Sequence, residues 1–417
     1  MALEGRLEGD LAGQTIRPGF HVLPGQGNAL AVETDAGVVL VDASPSRRVP
    51  AMIQTLREVT DAPLHAICYS HGHVGYNAGV PEWQAHNAER SEPMPRLVAH
   101  ANVLRRYARY RETMELQVRM GVVQFPGKQG VTLEQMEPAF RLHDPTETFD
   151  DTTTVVDGSR PVEAIWVPSE VDDSIALWFP EDGLLYGGAA TPGDTIPNIG
   201  TPLRTQRFTI RWADSLDRMT ALEPQVLVTE FGPVIDDAAS IRERLGKTAE
   251  ALRWLRDEVV ARMNRGMNER EVLADMTYPD ELFSPAWMAP TYGCPDYIVR
   301  DLYREENGWW DRNPTTLHPA APDDAASAVL SAIGDPRTVL DRARGLADAG
   351  ETQLALHVID VIAMAPGDDD VLVRARALKA ELCRTRASEV RPYVSKACLR
   401  SSARLLDNGS ASWTSLG

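Results

Sequence analysis

Up to residue 235 the apolar positions fall into short runs parted by polar or glycine-rich breaks. Residues 29–33 and 38–42 are two such runs around Thr34, Asp35, Ala36 and Gly37, which predicts a strand, a tight turn and a second strand. In 49–59 the spacing changes to three and four, with Met52, Ile53, Leu56 and Val59 on one face, which predicts a helix. An apolar run at 64–69 follows and stops at Ser70. The opening therefore reads β, β, α, β and then a polar loop. Runs at 164–167, 175–179, 184–186 and 226–229 repeat the theme, each followed by polar or glycine-rich residues. Such alternation predicts layered α/β architecture with working loops at the strand ends.

From about residue 236 the pattern turns helical. Residues 238–265 carry apolar positions at three-to-four spacing among Arg and Glu, an amphipathic helix. A Pro-rich, aromatic connection covers 278–322, and 325–386 reads as a run of helices broken at Gly350 and at the Pro366, Gly367 pair. The expected organisation is an α/β domain over 1–237, a helical and aromatic connecting segment over 238–322 and a helical domain over 323–417.

Composition narrows the partners. The chain has 417 residues and a formal net charge of -18, from 42 basic and 60 acidic side chains. Lys128, Lys247, Lys379 and Lys396 are its lysines, which leaves 38 arginines among the 42 basic residues. An acidic chain argues against nucleic acid or an anionic membrane as the main partner, while single arginines can still build pockets for small anions. The start, MALEGRLEGDLAGQ, lacks the basic-then-apolar layout of a signal peptide, and no stretch approaches the ~20 apolar residues of a membrane helix. A cytoplasmic location is expected. Cys68, Cys294, Cys383 and Cys398 show no CxxC spacing, so they read as small apolar residues rather than as a zinc ribbon or a disulfide framework.

The stretch Tyr69, Ser70, His71, Gly72, His73, Val74, Gly75, Tyr76, Asn77, Ala78, Gly79 carries the clearest chemistry. In an extended loop residues i and i+2 point the same way, so His71 and His73 can aim both imidazoles at one point, as a metal pair requires. The plain alternative is two histidines hydrogen-bonded to backbone near a surface.

This stretch, placed after a ββαβ opening, resembles the HxHxDH loop of the metallo-β-lactamase superfamily. Farther on, Tyr292, Gly293, Cys294 and Pro295, then Val299 to Tyr303, then Gly308 to Pro314 resemble the dimerisation region of alkyl sulfatases, where a GW(Y/F)DGNP phrase follows a YG…VR…Y segment. The resemblance implies an αββα sandwich followed by an all-helical dimerisation domain, a homodimer, and a metal-dependent hydrolase acting on a small anionic ester. Position by position, His71 and His73 match the first two ligands, whereas Gly75 stands where the motif has Asp and Tyr76 where it has His. Glu170 matches a ligand position of the alkyl-sulfatase-like branch. Near Gly188 and Ala189 the bridging acid is missing, and Phe231 takes the histidine of the usual HGP phrase.

What survives is His71, His73 and Glu170, and two His with one Glu is a known catalytic zinc set. One divalent ion is expected there, zinc in the first place with iron or manganese as alternatives, and no organic cofactor. Glu230, or Asp172 and Asp173 beside Glu170, can act as base or supporting partner, or else as ordinary loop residues. Tyr76 either donates a proton or fills the volume of the lost second ion. By resemblance Asn198, Thr201 and Arg204 form the substrate stretch, in which Arg204 or Arg207 can clamp a sulfate, phosphate or carboxylate. Tyr303, Trp309 and Trp310 read as packing or as an oligomer interface, with an apolar substrate channel as the alternative. A lyase of altered chemistry and an inactive ligand-binding dimer stand as alternatives to the hydrolase.

Overall fold

The computed structural model describes residues 11–125, 133–136 and 140–410. They form two compact units: one of residues up to 117 together with 133–305, the other of 118–132 with 306 onward.

The first unit holds two sheets. Strands β1 (Thr15–Arg17), β2 (Phe20–Leu23), β3 (Ala29–Thr34), β4 (Gly37–Val41), β5 (Leu64–Cys68), β6 (Arg96–His100) and β7 (Glu147–Phe149) lie in chain order in one sheet. Pairing is antiparallel up to β4 and parallel from β4 to β7. The second sheet takes β8 (Thr152–Val156), β9 (Val162–Trp166), β10 (Ile175–Phe179), β11 (Leu184–Gly188) and β12 (Val226–Thr229) in the order β12-β11-β10-β9-β8, with β11 and β12 parallel. Every strand expected from the apolar runs is present. Strands β1, β2, β6, β7 and β8 add to them.

Alternation along the strands explains the layers. Leu30, Val32, Val39 and Val41 meet Ala164, Leu177, Tyr186 and Val228 in a core between the sheets. Their neighbours Ala31, Val38 and Leu40 face the other way, under helices α1 (Val49–Val59), α2 (Val80–Glu89) and α3 (Asn102–Glu112) through Met52, Trp83 and Tyr107. The outer residues of the second sheet, Ile165, Ala176, Leu185 and Leu227, are covered in turn. Strands buried on both faces read as unbroken apolar runs, which is why they were visible in the sequence. The result is the expected αββα sandwich.

Between β6 and β7 lie α4 (Met114–Gln124) and α5 (Leu133–Met136). The second sheet's cover consists of α6 (Thr209–Thr220), α7 (Ala238–Asn264), the short α8 (Glu269–Asp275) and α9 (Asp280–Phe283), and α10 (Pro295–Asn307). Leu216, Leu245, Leu252, Ile298 and Leu302 supply their buried faces. Residues 238–305 therefore pack into the first unit, although their composition sets them apart from 1–237. Their apolar stripes have the sheet to bury against.

The second unit is helical. It contains α11 (Pro314–Leu317), α12 (Pro322–Ser331), α13 (Pro336–Asp348), α14 (Thr352–Ala363), α15 (Asp370–Glu389) and α16 (Tyr393–Asp407). Gly350 and Gly367 fall in the breaks, both at positive φ. Leu340, Ile359, Ile362, Leu372 and Leu378 form its core.

Candidate active site

Parallel β4 and β5 end at the same edge of their sheet, and the residues just beyond build the site. Asp42 leaves β4 with φ of 62° and is buried. Its Oδ1 accepts from the Ser70 backbone N–H at 2.8 Å and from Asn77 Nδ2 at 3.2 Å, and its Oδ2 accepts from Ser70 Oγ at 2.5 Å. Burial pushes this carboxyl up to about 7, against the pull of those donors. Ser70 Oγ also lies 2.9 Å from His71 Nδ1. With the hydroxyl donating to ionised Asp42, its oxygen accepts the Nδ1–H, and the lone pair of His71 Nε2 is left to face His73.

His71 Nε2 and His73 Nδ1 are 2.9 Å apart. Two nitrogens at about 2.0–2.1 Å from one zinc stand roughly 3.3 Å apart at the tetrahedral angle; at 2.9 Å this pair is instead hydrogen-bonded ring to ring and would have to open by a few tenths of an ångström to hold an ion between the two nitrogens. Both rings stay neutral, as ligation needs. Burial takes His71 down to about 4; it takes His73 well below the usual value, with His71, Arg106, Arg207 and Arg204 adding repulsion.

Glu170, the expected third donor, is turned elsewhere. Its Oε1 accepts from Arg207 Nη2 and from Asn198 Nδ2, each at 2.9 Å. Burial would raise its pKa, but Arg207, His71 and Asn198 outweigh that and hold it below the ordinary value. Among the described residues no three His, Cys, Asp or Glu side chains are gathered where they could hold a metal ion. The residues thus fit a divalent ion as far as the histidine pair, and the third donor stands apart in an ion pair.

The positions where the resemblance places further ligands hold other residues in constrained backbone. Gly75 has φ of 94°, a conformation in which an Asp would be strained. Gly188 has φ of 51°, and a Cβ there would meet the Ile175 carbonyl at 2.9 Å. The Tyr76 ring lies against His71, centroids 4.2 Å apart, and its hydroxyl donates to Glu230 Oε1. Gln26 reaches the same hydroxyl. Burial and the nearby Glu230 raise the Tyr76 phenol well above its usual range. Burial and repulsion from Glu170 push Glu230 up to about 8. The two candidates Tyr76 and Glu230 therefore meet each other, a pair not apparent from residues 154 positions apart.

Asp173 is fully buried, and its Oδ2 accepts from Arg106 Nε at 2.6 Å; Arg106 Nη2 reaches Asp172 at 2.9 Å. One oxygen of Asp173 is engaged in this ion pair, while Oδ1 is buried with no hydrogen-bond partner among the described residues. Gly72 makes room for the pair, since a Cβ there would come 2.8 Å from Asp173 Oδ2.

The stretch from Asn198 to Arg207 forms the remaining wall. Thr201 Oγ1 donates to the Asn198 carbonyl at 2.8 Å, and Arg207 Nη1 donates to the same carbonyl. Thr201 thus shapes the turn rather than offering its hydroxyl to the site. Arg204, partly buried, bonds to Tyr292, and the backbone N–H groups of Tyr292 and Gly293 donate to Thr195 Oγ1 at 3.2 and 3.1 Å. Arg106, Gln26, Asp42 and Tyr292 are site residues that the sequence did not single out. Tyr292 had a signal in the YGCP phrase, which belongs to this wall; the others had none beyond residue type.

Comparison with known proteins agrees with the fold. Residues 22–230 match the model of the metallo-β-lactamase superfamily and 268–409 that of alkyl sulfatase dimerisation. A linear primary-alkylsulfatase of a Pseudomonas species is 26% identical over 365 residues, covering 84% of this chain and 68% of its own length. An (R)-specific secondary-alkylsulfatase of Pseudomonas is 22% identical over 383 residues, covering 85% of this chain and 56% of its own. The solved structure of a stereoselective inverting sec-alkylsulfatase from Pseudomonas superposes with a TM-score of 0.80 at 18% identity, over 95% of this chain and 65% of that one, which establishes the shared fold. The chain spans between about half and two thirds of the length of these relatives. With a ββαβ opening that leads into a two-histidine loop, and with both family models matched in order, the chain belongs to the metallo-β-lactamase superfamily, in its alkyl sulfatase-like branch.

Proposed function

We propose that the chain is a metal-dependent hydrolase of small anionic esters, with alkyl sulfates as the substrate class. The observation that carries this reading is the convergence of His71 Nε2 and His73 Nδ1, two neutral donors 2.9 Å apart, beside the buried arginine of an Arg–Asn clamp. A divalent ion at the histidine pair would supply Lewis acidity toward the ester. The rest is the work of the chain itself. Arg207 and Asn198 offer convergent donors to an anionic head group, and Arg204 adds positive charge beside them. Tyr76 and Glu230 hold a proton between the phenol oxygen and the carboxyl, next to the ring of His71. The Asp42–Ser70 chain fixes the orientation of His71. A homodimer and a cytoplasmic location belong to the same proposal.

Sulfate release from a medium-chain alkyl sulfate tests it. Activity is expected with the purified protein, lost on chelation and in a His71→Ala, His73→Ala double variant, and restored to the wild type by zinc, iron or manganese. Bound metal without sulfate release would discard the sulfatase assignment. A ligand-binding dimer without turnover is the second reading, favoured by Gly75, Gly188 and Phe231 at positions where the family carries ligands.

A further inference from the structure

His71 and His73 are separated by a glycine, and that glycine rests on an ion pair. A Cβ on Gly72 would stand 2.8 Å from Asp173 Oδ2, 3.0 Å from Arg106 Cδ and 3.4 Å from the Tyr107 ring. The backbone that carries both imidazoles therefore lies directly on the contact between Arg106 and Asp173. Arg106 comes from α3 and its side chain is 8% exposed; Asp173 comes from the loop between β9 and β10 and is fully buried. The guanidinium makes a fork, with Nε donating to Asp173 Oδ2 at 2.6 Å and Nη2 to Asp172 Oδ1 at 2.9 Å. A planar fork fixes direction as well as distance, which a point charge does not. Further ties hold the segments in register. The Asp172 carbonyl accepts from Asn102 Nδ2 at 2.9 Å and from Trp166 Nε1 at 2.8 Å, and the Ile175 backbone N–H donates to the Ser70 carbonyl at 2.9 Å.

Stability alone gives this pair little reason to be ionic. Taking two charges out of water costs about as much as their attraction returns, and apolar residues in such a place are often neutral or stabilising. Asp173 Oδ1, buried with no partner among the described residues, adds to that cost. What the pair supplies is direction, and the element it directs is the histidine loop. His71 Nδ1–H is taken up by Ser70 Oγ, so the proton of the 2.9 Å contact between the rings belongs to His73, whose Nδ1–H donates to His71 Nε2. Such a ring-to-ring hydrogen bond weakens when either imidazole turns. We propose that Arg106 and Asp173 are positioning residues: through Gly72 they set the path of the backbone from His71 to His73 and thereby hold the two imidazoles on each other. The role rests on the reading above, in which the two histidines are the working pair, and needs no bound ion for its test.

Proton–nitrogen spectra of the metal-free full chain, labelled in the histidine rings, test it without turnover. The wild type is expected to show a downfield, slowly exchanging His73 Nδ1–H. The double variant Arg106→Met, Asp173→Ala removes both charges together; it should lose that resonance while its urea midpoint falls little or not at all. Arg106→Lys keeps the charge without the fork and should lose the resonance as well. Gly72→Ala leaves both charges in place and presses on the pair from the loop side, and it should have the same effect. A resonance that persists unchanged in the double variant or in Arg106→Lys overturns the proposal. So does its loss only in variants whose urea midpoint collapses, because the pair would then be holding the fold and not the rings. In the sulfate-release assay these variants are expected to lower kcat about 100-fold with KM within about twofold of the wild type, since the Arg207 and Asn198 clamp is untouched. An unchanged kcat in a variant that has lost the resonance would also overturn the role. A wild type that shows the resonance, loses it in the variants and releases no sulfate removes the hydrolase reading and supports the positioning.

Discussion

Glu230 sits buried at the end of β12 with the Tyr76 hydroxyl on its Oε1, and burial with repulsion from Glu170 pushes it up to about 8. In the unfolded chain a glutamate titrates near ~4.3. Between those values the folded state holds the proton more tightly than the unfolded state, so this group's contribution is fully present below about 4.3 and is lost as pH rises through 8. At ~1.4 kcal/mol for each pKa unit, the loss reaches a few kcal/mol by pH 8. Glu230→Gln keeps an acceptor for Tyr76 and removes the titration. Its urea midpoint is expected to match the wild type near pH 4.5 and to exceed it increasingly up to pH 8; a difference that does not change with pH would refute the assignment. Asp42, raised by burial to about 7, has the same sign. Glu170 has the opposite one: held low by Arg207, it contributes above the unfolded glutamate value and the contribution is lost on acidification.

Among the elements, α10 carries the site although it follows the sandwich in sequence and lies within the region that matches the dimerisation model. Gly200, at φ of 66°, presses on the carbonyl of Tyr297 in α10, where an added Cβ would stand 2.0 Å away. Two residues of the neighbouring turn, Ile196 and Pro197, crowd Gly293 in the same way through their carbonyls. The turn that bears Asn198 and Arg207 is thus docked backbone to backbone. Gly200→Ala is expected to cost about 2–4 kcal/mol and to abolish sulfate binding, since the obstruction is main chain and cannot swing aside. Denaturant unfolding and sulfate calorimetry check it, and unchanged stability would rule out the docking. These contacts also mark the limit of what the sequence disclosed. His71 and His73 are two apart in one loop after a double-faced apolar strand, so local periodicity exposed both the strand and the pair. Glu170 with Arg207, Arg106 with Asp173 and Tyr76 with Glu230 meet across 37, 67 and 154 positions. No local pattern encodes such pairings, and Glu170 therefore read as a free ligand when it is a clamped one.

For the whole molecule the remaining question is association. The second unit leaves apolar side chains open to solvent: Trp309 is 69% exposed, Leu317 42%, Val329 47% and Leu354 51%, and α12 buries none of its residues. Apolar surface of this kind favours contact with another copy, and the match to a dimerisation model points to the same region. Charge acts against it, because each chain carries a net -18. Repulsion between like-charged copies reaches about 30 Å at 0.01 M salt and about 10 Å at 0.1 M. A dimer held by apolar contact and opposed by net charge should therefore tighten as salt is added, the reverse of one held by ion pairs. Light scattering at micromolar concentration is expected to give twice the 45.9 kDa chain mass at 0.2 M salt and a lower average mass at 0.01 M. Trp309→Glu, which places a charge at the most exposed of these side chains, should shift the high-salt sample toward the monomer without lowering the unfolding midpoint. A monomer at every salt concentration, or a dimer that weakens with salt, would count against apolar association through this unit.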